Sequence, residues 1–226
     1  SVTDGVPSPS AVGRIAIGVS PANAEYVYLV ITNDTSYGLL GVYRSTNSGE
    51  SFSLRADSPN ILDGSEDGST TGGQGWFDLA IVVNPSNANE ILIGGVNLWR
   101  STNGGSTFNL HAYWVLQGGN GYDYVHADIH HLTSSGTSVY CGSDGGLFRS
   151  NWSNLNFTDM SEGLSISQCY RIAVDPSNAD RVMVGLQDNG TVILNNGVWT
   201  HIQGGDGMVC HFDPSNSNTV YLSAQF

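Results

Sequence analysis

The chain repeats itself, and the repeat limits the possible fold more than any other feature. Four segments share one pattern that ends in Pro-x-Asn: GRIAIGVSPANA at 13–24, FDLAIVVNPSNA at 77–88, YRIAVDPSNA at 170–179 and MVCHFDPSNS at 208–217. A short apolar run follows each one: EYVYLVI, EILIGG, RVMVGL and TVYLSA. Each pair reads as a strand, a Pro-containing turn and a second strand, because Pro and Asn favour the tight turn and the apolar runs are strand-length. A second motif recurs downstream as VYRSTNSGESF at 42–52, LWRSTNGGSTF at 98–108 and, in degenerate form, LFRSNWSNLNF at 147–157. Here a strand enters a hairpin whose Asn can bond nearby backbone amides, and it leaves through Phe52, Phe108 or Phe157. These three Phe hold one equivalent place and are expected to pack inward.

Together the motifs make a four-stranded unit. Units begin near residues 14, 77, 125, 169 and 208, so the spacings are 63, 48, 44 and 39. Repeats of about 40–50 residues with four strands each predict an all-β chain, a β-propeller built of four-stranded blades. The blades are placed near 13–56, 76–111, 124–160 and 168–203, with an incomplete one at 207–226. In the third unit Gly136 stands where the others have Pro. About four and a half blades do not close a ring, so a larger propeller is expected, completed by another chain or a further segment. The start at Ser1, without Met, suggests a processed product.

Strand parity supports the blades. Counting back from each turn Pro, positions −2, −4 and −6 are Val19, Ile17 and Ile15; Val83, Ile81 and Leu79; Val174, Ile172 and Tyr170; Phe212, Cys210 and Met208. All are apolar or aromatic, while the alternate positions are mostly small, such as Gly18 and Ala16. Side chains in a strand alternate between faces. One bulky face and one small face would let neighbouring blades interlock, which makes Cys210 a core thiol. Cys141, Cys169 and Cys210 are too few and too widely spaced for a disulfide framework or a zinc site.

The charge balance excludes some partners. All 7 basic residues are Arg, against 20 acidic residues, for a net charge of −13. Neither nucleic acid nor an anionic membrane surface suits such a chain, and no apolar run is long enough for a membrane span. Residues 56–75, rich in Gly, Ser and Asp, read as a surface loop between the first two blades. Residues 111–123 hold several aromatics and read as a lid or pocket wall.

Propeller ligands gather where first strands begin. Asp78, His126, Asp128, Gln168 and Asp206 fall there, and they would make either a polar pocket for a sugar or metal, or a set of groups bonded to backbone between blades. His126, Asp128 and His130 alternate, so one strand would point all three to one face, where they could hold a divalent metal such as calcium. His130 also aligns with core positions, which offers the competing account of a buried His. Asp144 and Asp188 end second strands and enter Gly turns, where Asp often serves turn chemistry alone. Trp76 and Tyr124, with Tyr113, Trp114 and Tyr122, sit in loops or strand starts, where aromatics either stack on sugar rings or fill the core.

STNSGESF and STNGGSTF resemble the Asp-box of BNR-repeat proteins, with Asn for Asp and Phe for Trp. The strings GQGWFD (73–78), YVHADIHHL (124–132), GSDGGLFRS (142–150), GLQDNGT (185–191) and GGDGMVC (204–210) extend the likeness over nearly the whole chain. It resembles secreted, sortilin-like and xyloglucanase-like BNR-repeat proteins common in Bacteroidetes, many of them exported by the type IX system. That resemblance implies a propeller, a secreted or cell-surface location, and a catalytic carboxylate at Asp144, since Asp144-Gly145-Gly146-Leu147-Phe148-Arg149 is similar to the xyloglucanase stretch Asp-x-Gly-Gly-x-Tyr-Arg, though one residue shorter. Glycoside hydrolysis needs two carboxyl groups at a set separation, and Asp144 with Asp206 or Asp188 is the candidate pair. A sialidase would need an Arg cluster, whereas Arg44, Arg100 and Arg149 recur at equivalent repeat positions and read as structural. The leading expectation is a non-catalytic module that binds glycan or a protein partner. A glycoside hydrolase and a structural subunit of an extracellular assembly are the alternatives.

Overall fold

The computed structural model describes residues 4–116 and 121–225. Part of the aromatic 111–123 segment therefore lies outside the described residues. Apart from one 3-10 turn at Pro9–Ala11, every described element is a β-strand. The chain divides into two compact units, Ser1–Glu162 and Gly163–Phe226.

The first unit holds three sheets, each in simple up-and-down order. Sheet one is β1 (Val12–Ser20), β2 (Asn23–Asn33), β3 (Leu39–Ser45) and β4 (Ser53–Ala56). Sheet two is β5 (Ala80–Asn84), β6 (Asn87–Gly94), β7 (Leu98–Ser101) and β8 (Asn109–Tyr113), with β9 (Asp123–Tyr124) added in parallel to β8. Sheet three is β10 (Ile129–Ser135), β11 (Ser138–Ser143), β12 (Gly146–Asn151) and β13 (Thr158–Asp159). The second unit holds the four-stranded sheet β14 (Cys169–Asp175), β15 (Asn178–Leu186), β16 (Gly190–Asn195) and β17 (Val198–Gln203), and the pair β18 (Gly207–Phe212) and β19 (Val220–Ala224). These are propeller blades, and their succession follows the repeat period.

The hairpins after β3 and β7 show why the Asn-Gly motif recurs. Ser45 Oγ accepts from the Gly49 amide at 2.8 Å, and Asn47 Oδ1 accepts from the Ser51 amide at 3.1 Å. In the next blade Ser101 Oγ accepts from Gly105 N at 3.0 Å, and Asn103 Oδ1 from Thr107 N at 3.0 Å. In both hairpins the Asn amide oxygen is an acceptor that holds the turn. Phe108 is buried, while Phe52 and Phe157 pack, partly buried, against core clusters.

The interlock of bulky and small faces holds inside each unit. Leu79, Ile81 and Val83 of sheet two are buried with Ala16, Tyr28, Val30 and Val42 of sheet one. Gly18 allows this approach, because a Cβ there would lie 3.1 Å from Ile81 and Val83. In the second unit Cys210 and Phe212 bury against Met183 and Ile193. The first sheet of each unit departs from the expectation that the bulky face is core. Ile17 and Val19 are 66% and 64% exposed, and Ile172 is 67% exposed. Parity selects a face, but burial requires another sheet laid on it.

The segment 56–75 is not a plain surface loop. Ile61 and Leu62 are fully buried in the core between sheets one and two. Asn60 holds the loop: its Oδ1 accepts from Leu39 N at 2.8 Å and its Nδ2 donates to the carbonyls of Thr70 and Gly72 at 2.9 and 2.8 Å. Asp63, 3% exposed, accepts from Ser65 N and Thr70 N at 2.7 and 2.9 Å. The composition hid this because the apolar anchor is only two residues long. All three cysteines are free thiols, and among the described residues no helix is long and apolar enough to cross a membrane.

Candidate functional site

The end of this loop carries the candidate site of the first unit. Gly73 N and Gly75 N donate to the carbonyls of Ser36 and Tyr37 at 3.0 and 3.1 Å. Arg14 reaches in from β1 and donates to the carbonyls of Phe77 and Trp76 at 2.8 and 3.3 Å. The Gln74 carbonyl accepts from Phe77 N and Asp78 N, closing a turn that sets the Gln74 side chain beside Asp78. The chain then enters β5, so Asp78 is fixed at the start of a buried strand.

Two surfaces result. One is an aromatic strip. Tyr37 and Trp76 meet edge to face at 6.5 Å, Trp76 and Phe77 lie 5.5 Å apart, and Phe77 meets His130 edge to face at 4.8 Å. Trp76 is 61% exposed and Tyr37 is 41% exposed. The strip ends at a polar pair, because His130 Nε2 lies 2.7 Å from a carboxylate oxygen of Asp144.

The other is a carboxylate cluster. Gln74 Nε2 donates to Asp78 Oδ2 at 3.2 Å and to Asp128 Oδ1. Asp128 and Asp144 in turn offer oxygens within 4.8 Å of each other. Asp78 is fully buried, and its Oδ1 has no hydrogen-bond partner. Burial pushes its carboxyl up to about 8, against the lowering effect of the Gln74 bond, and the Asp128 charge adds to the rise. At neutral pH Asp78 is therefore an uncharged acid, as expected for a carboxyl removed from water beside a second carboxylate.

The alternation expected of His126, Asp128 and His130 does not occur. Strand β10 begins only at Ile129, and Asp128 sits at φ 64°. That left-handed residue breaks the period-2 rule that would have put all three on one face. A bulge between Ile129 and His131 then buries Ile129 and Leu132 and leaves His130 exposed. The buried-His account of His130 is thus overturned. His126 instead lies against Gly145, where a Cβ would come within 2.3 Å of the imidazole.

The remaining candidates fall in several places. Asp144 occupies the hairpin between β11 and β12. Tyr124 packs edge to face on Phe148 at 5.9 Å and is partly buried. Trp114 bonds the Gly64 carbonyl at 3.1 Å through its indole N–H. In the second unit Asp206 Oδ1 accepts from Asp188 N at 2.6 Å, which commits that carboxylate to backbone, and Asp188 stands at φ 56° in its turn. Gln168 is exposed, and its carbonyl accepts from Gln187 N at 2.9 Å. The Arg residues are structural: Arg44 lies 4.6 Å over the Tyr26 ring, Arg100 pairs with Glu90 at 2.5 Å, and Arg149 donates to Ser138 at 3.2 Å. Sequence reasoning did not single out Tyr37, Gln74, Phe77 or Arg14 for the site. Of these four, only Gln74 and Phe77 lie in a string, GQGWFD, that the sequence marks out.

No family model matches the chain, and no curated protein sequence does. Solved structures that resemble it include a GH74 enzyme from Niastella koreensis, at 20% identity and TM-score 0.46, covering 95% of this chain and 34% of the other. A GH74 xyloglucanase from Xanthomonas campestris matches at 17% identity and TM-score 0.46, covering 93% and 34%. YCF48 bound to a D1 peptide matches at 12% identity and TM-score 0.43, covering 96% and 64%. The chain spans about a third of the length of the two GH74 enzymes.

Proposed function

We propose that this chain is a non-catalytic propeller module that binds glycan outside the cell. One observation carries the reading: the exposed strip Tyr37–Trp76–Phe77 runs into the His130–Asp144 pair. Aromatic faces suit the C–H faces of sugar rings, and a polar terminus suits their hydroxyls. Such a strip costs exposure of large apolar groups to water, which a purely structural role would not require. The extracellular placement rests on the resemblance of the hairpin repeats to secreted Asp-box proteins. The commitment of one Asp206 oxygen to a backbone amide weakens the case for Asp206 as a hydrolytic carboxylate.

The test is affinity electrophoresis through gels that contain neutral plant and bacterial polysaccharides, with Trp76→Ala run beside the wild type. Loss of one stacking ring should weaken retention roughly tenfold, on the scale of 1–1.5 kcal/mol for an aromatic contact. Retention of neither protein on any polymer, or equal retention of both, would refute the glycan site. Release of reducing ends in the same samples would refute the non-catalytic part.

A further inference from the structure

The third repeat hairpin, the degenerate one, has no part in the aromatic strip. We propose that its outer side is a separate binding site for a carboxylated sugar, a uronic acid, held by Arg149 and by the side chains of Asn151, Asn154 and Asn156. The site shares no residue with the strip and is tested apart from it.

In the two intact hairpins the Asn side chain is used up inside the turn. Asn47 accepts from Ser51 N at 3.1 Å and donates to Ser51 Oγ at 3.0 Å. Asn103 accepts from Thr107 N at 3.0 Å and donates to Thr107 Oγ1 at 2.8 Å. In LFRSNWSNLNF the corresponding place is taken by Trp152. Burial holds this hairpin instead. Trp152 is 8% exposed and its indole N–H donates to Ser134 Oγ at 3.0 Å. Leu155 is fully buried, with its amide on the Asn151 carbonyl at 2.7 Å. Ser150 Oγ donates to the Asn156 carbonyl at 2.7 Å and fixes the returning chain. The Asn side chains are therefore not needed for the turn. Asn154 and Asn156 are exposed, and neither side chain makes a hydrogen bond among the described residues. Asn151 has one long contact, from Ser138 Oγ at 3.4 Å.

These three amides line one cavity of about 430 Å³ together with Arg149, Thr158 and Met160. That volume lies within the range of small-molecule sites, about 300–1,000 Å³. An amide side chain offers both donors and an acceptor, which suits sugar hydroxyls, since each hydroxyl also does both. Met160, 44% exposed, adds an apolar surface for ring C–H groups.

Arg149 selects the carboxylate. Its equivalents in the other hairpins are engaged, Arg100 by Glu90 and Arg44 by Asn89 Oδ1 at 3.3 Å. Arg149 pairs opposite Thr158, gives one N–H to Ser138 Oγ at 3.2 Å and lies 5.9 Å over the Tyr140 ring. Those contacts orient it, and among the described residues no carboxylate lies within ion-pair distance of it. The other N–H groups of the planar guanidinium fit a carboxylate with two parallel bonds. Asp159, the adjacent acid, pairs opposite Phe148, so it belongs to the other face of the sheet, and it accepts from Ser161 N at 2.7 Å. The net charge of −13 does not exclude this ligand, because exposed charges more than about 8 Å away are largely screened at physiological salt.

The experiment titrates the full chain by calorimetry with galacturonate and glucuronate, beside galactose, glucose and acetate. The expected result is one uronate site with a dissociation constant of about 1 mM or tighter, the scale for a ligand of this size. Neutral hexose and acetate should each bind at least about tenfold more weakly, because each lacks half of the recognised groups. Arg149→Gln should weaken uronate binding about tenfold or more, the scale for a lost charge-assisted bond, with circular dichroism showing the strands retained. Should Arg149→Gln lose its fold, Asn154→Ala and Asn156→Ala carry the comparison, each with a loss of severalfold. No uronate heat overturns the proposal. So does acetate binding as tightly as uronate, which would mean an anion contact without a sugar site, or neutral hexose doing so, which would remove the role of Arg149. Unchanged uronate affinity in the folded variants overturns it as well.

Discussion

Asp78→Asn in chelator-treated buffer isolates the energetic effect of a buried carboxyl. In the folded protein burial holds this acid up to about 8, against 3.8 for an ordinary Asp. A tenfold change in proton affinity is worth about 1.4 kcal/mol, so the full difference sets an upper limit of roughly 6 kcal/mol, reduced to a few kcal/mol once side chains and water relax. The sign follows from proton counting. Between about pH 4 and pH 8 the unfolded chain has released this proton while the folded chain keeps it. The contribution is therefore complete below the unfolded value, falls as pH rises to about 8, and is flat above it. Asn has nearly the same shape, still accepts from Gln74, and never ionises. Its amide can donate toward Asp128, as the protonated acid does. Urea unfolding of both proteins at half-unit steps from pH 4.5 to 8.5 measures the difference directly, since every other titrating group is common to both. The variant should gain stability relative to the wild type steadily with pH, reaching a few kcal/mol near pH 8, a large share of a typical domain's 5–15 kcal/mol. A difference independent of pH, or one that favours the wild type as pH rises, would refute the buried neutral acid.

Two further substitutions test the blade architecture. Arg100→Met leaves Glu90, 7% exposed and also bonded by Asn84 at 2.6 Å, without its cation; because Arg100 itself is partly exposed, urea unfolding should show a loss of about 1–3 kcal/mol, the scale for a buried charged acceptor that loses one partner. Asn103→Ala removes the acceptor for Ser106 N and Thr107 N; a loss of about 1–3 kcal/mol in chemical denaturation is expected, and a loss under about 0.3 kcal/mol would show that the hairpin does not depend on its Asn.

Much of the fold could be read from local pattern. The Pro-x-Asn turns, the Ser-x-Asn hairpins and the two-residue alternation each act over a few residues, so they survive in one dimension. The propeller reading followed because these local signals repeat at blade length. The site was only partly legible. Asp78, Asp128, Asp144, Trp76 and His130 were all candidates, but their grouping was not. Residues 76–78, 128–130 and 144 come from three separate segments, and no local rule relates them. The strand alternation assumed through His126–His130 failed at one left-handed residue, Asp128, a conformation that Asp tolerates and that sequence alone does not mark. The buried anchor Ile61–Leu62 was hidden because two apolar residues in a Gly- and Ser-rich stretch carry no period.

The sequence by itself therefore determined the blades: where strands run, which residues turn them, and which face of each first strand is bulky. Backbone sterics and local hydrogen bonds set those features, and they need no distant partner. Tertiary structure alone decided which bulky faces are buried, since Leu79, Ile81 and Val83 are covered while Ile15, Ile17 and Val19 are not. It also decided the chemistry of Asp78. A carboxyl becomes an uncharged acid only when packing removes its water and a second carboxylate comes near. Both conditions depend on segments that meet only after the sheets have stacked.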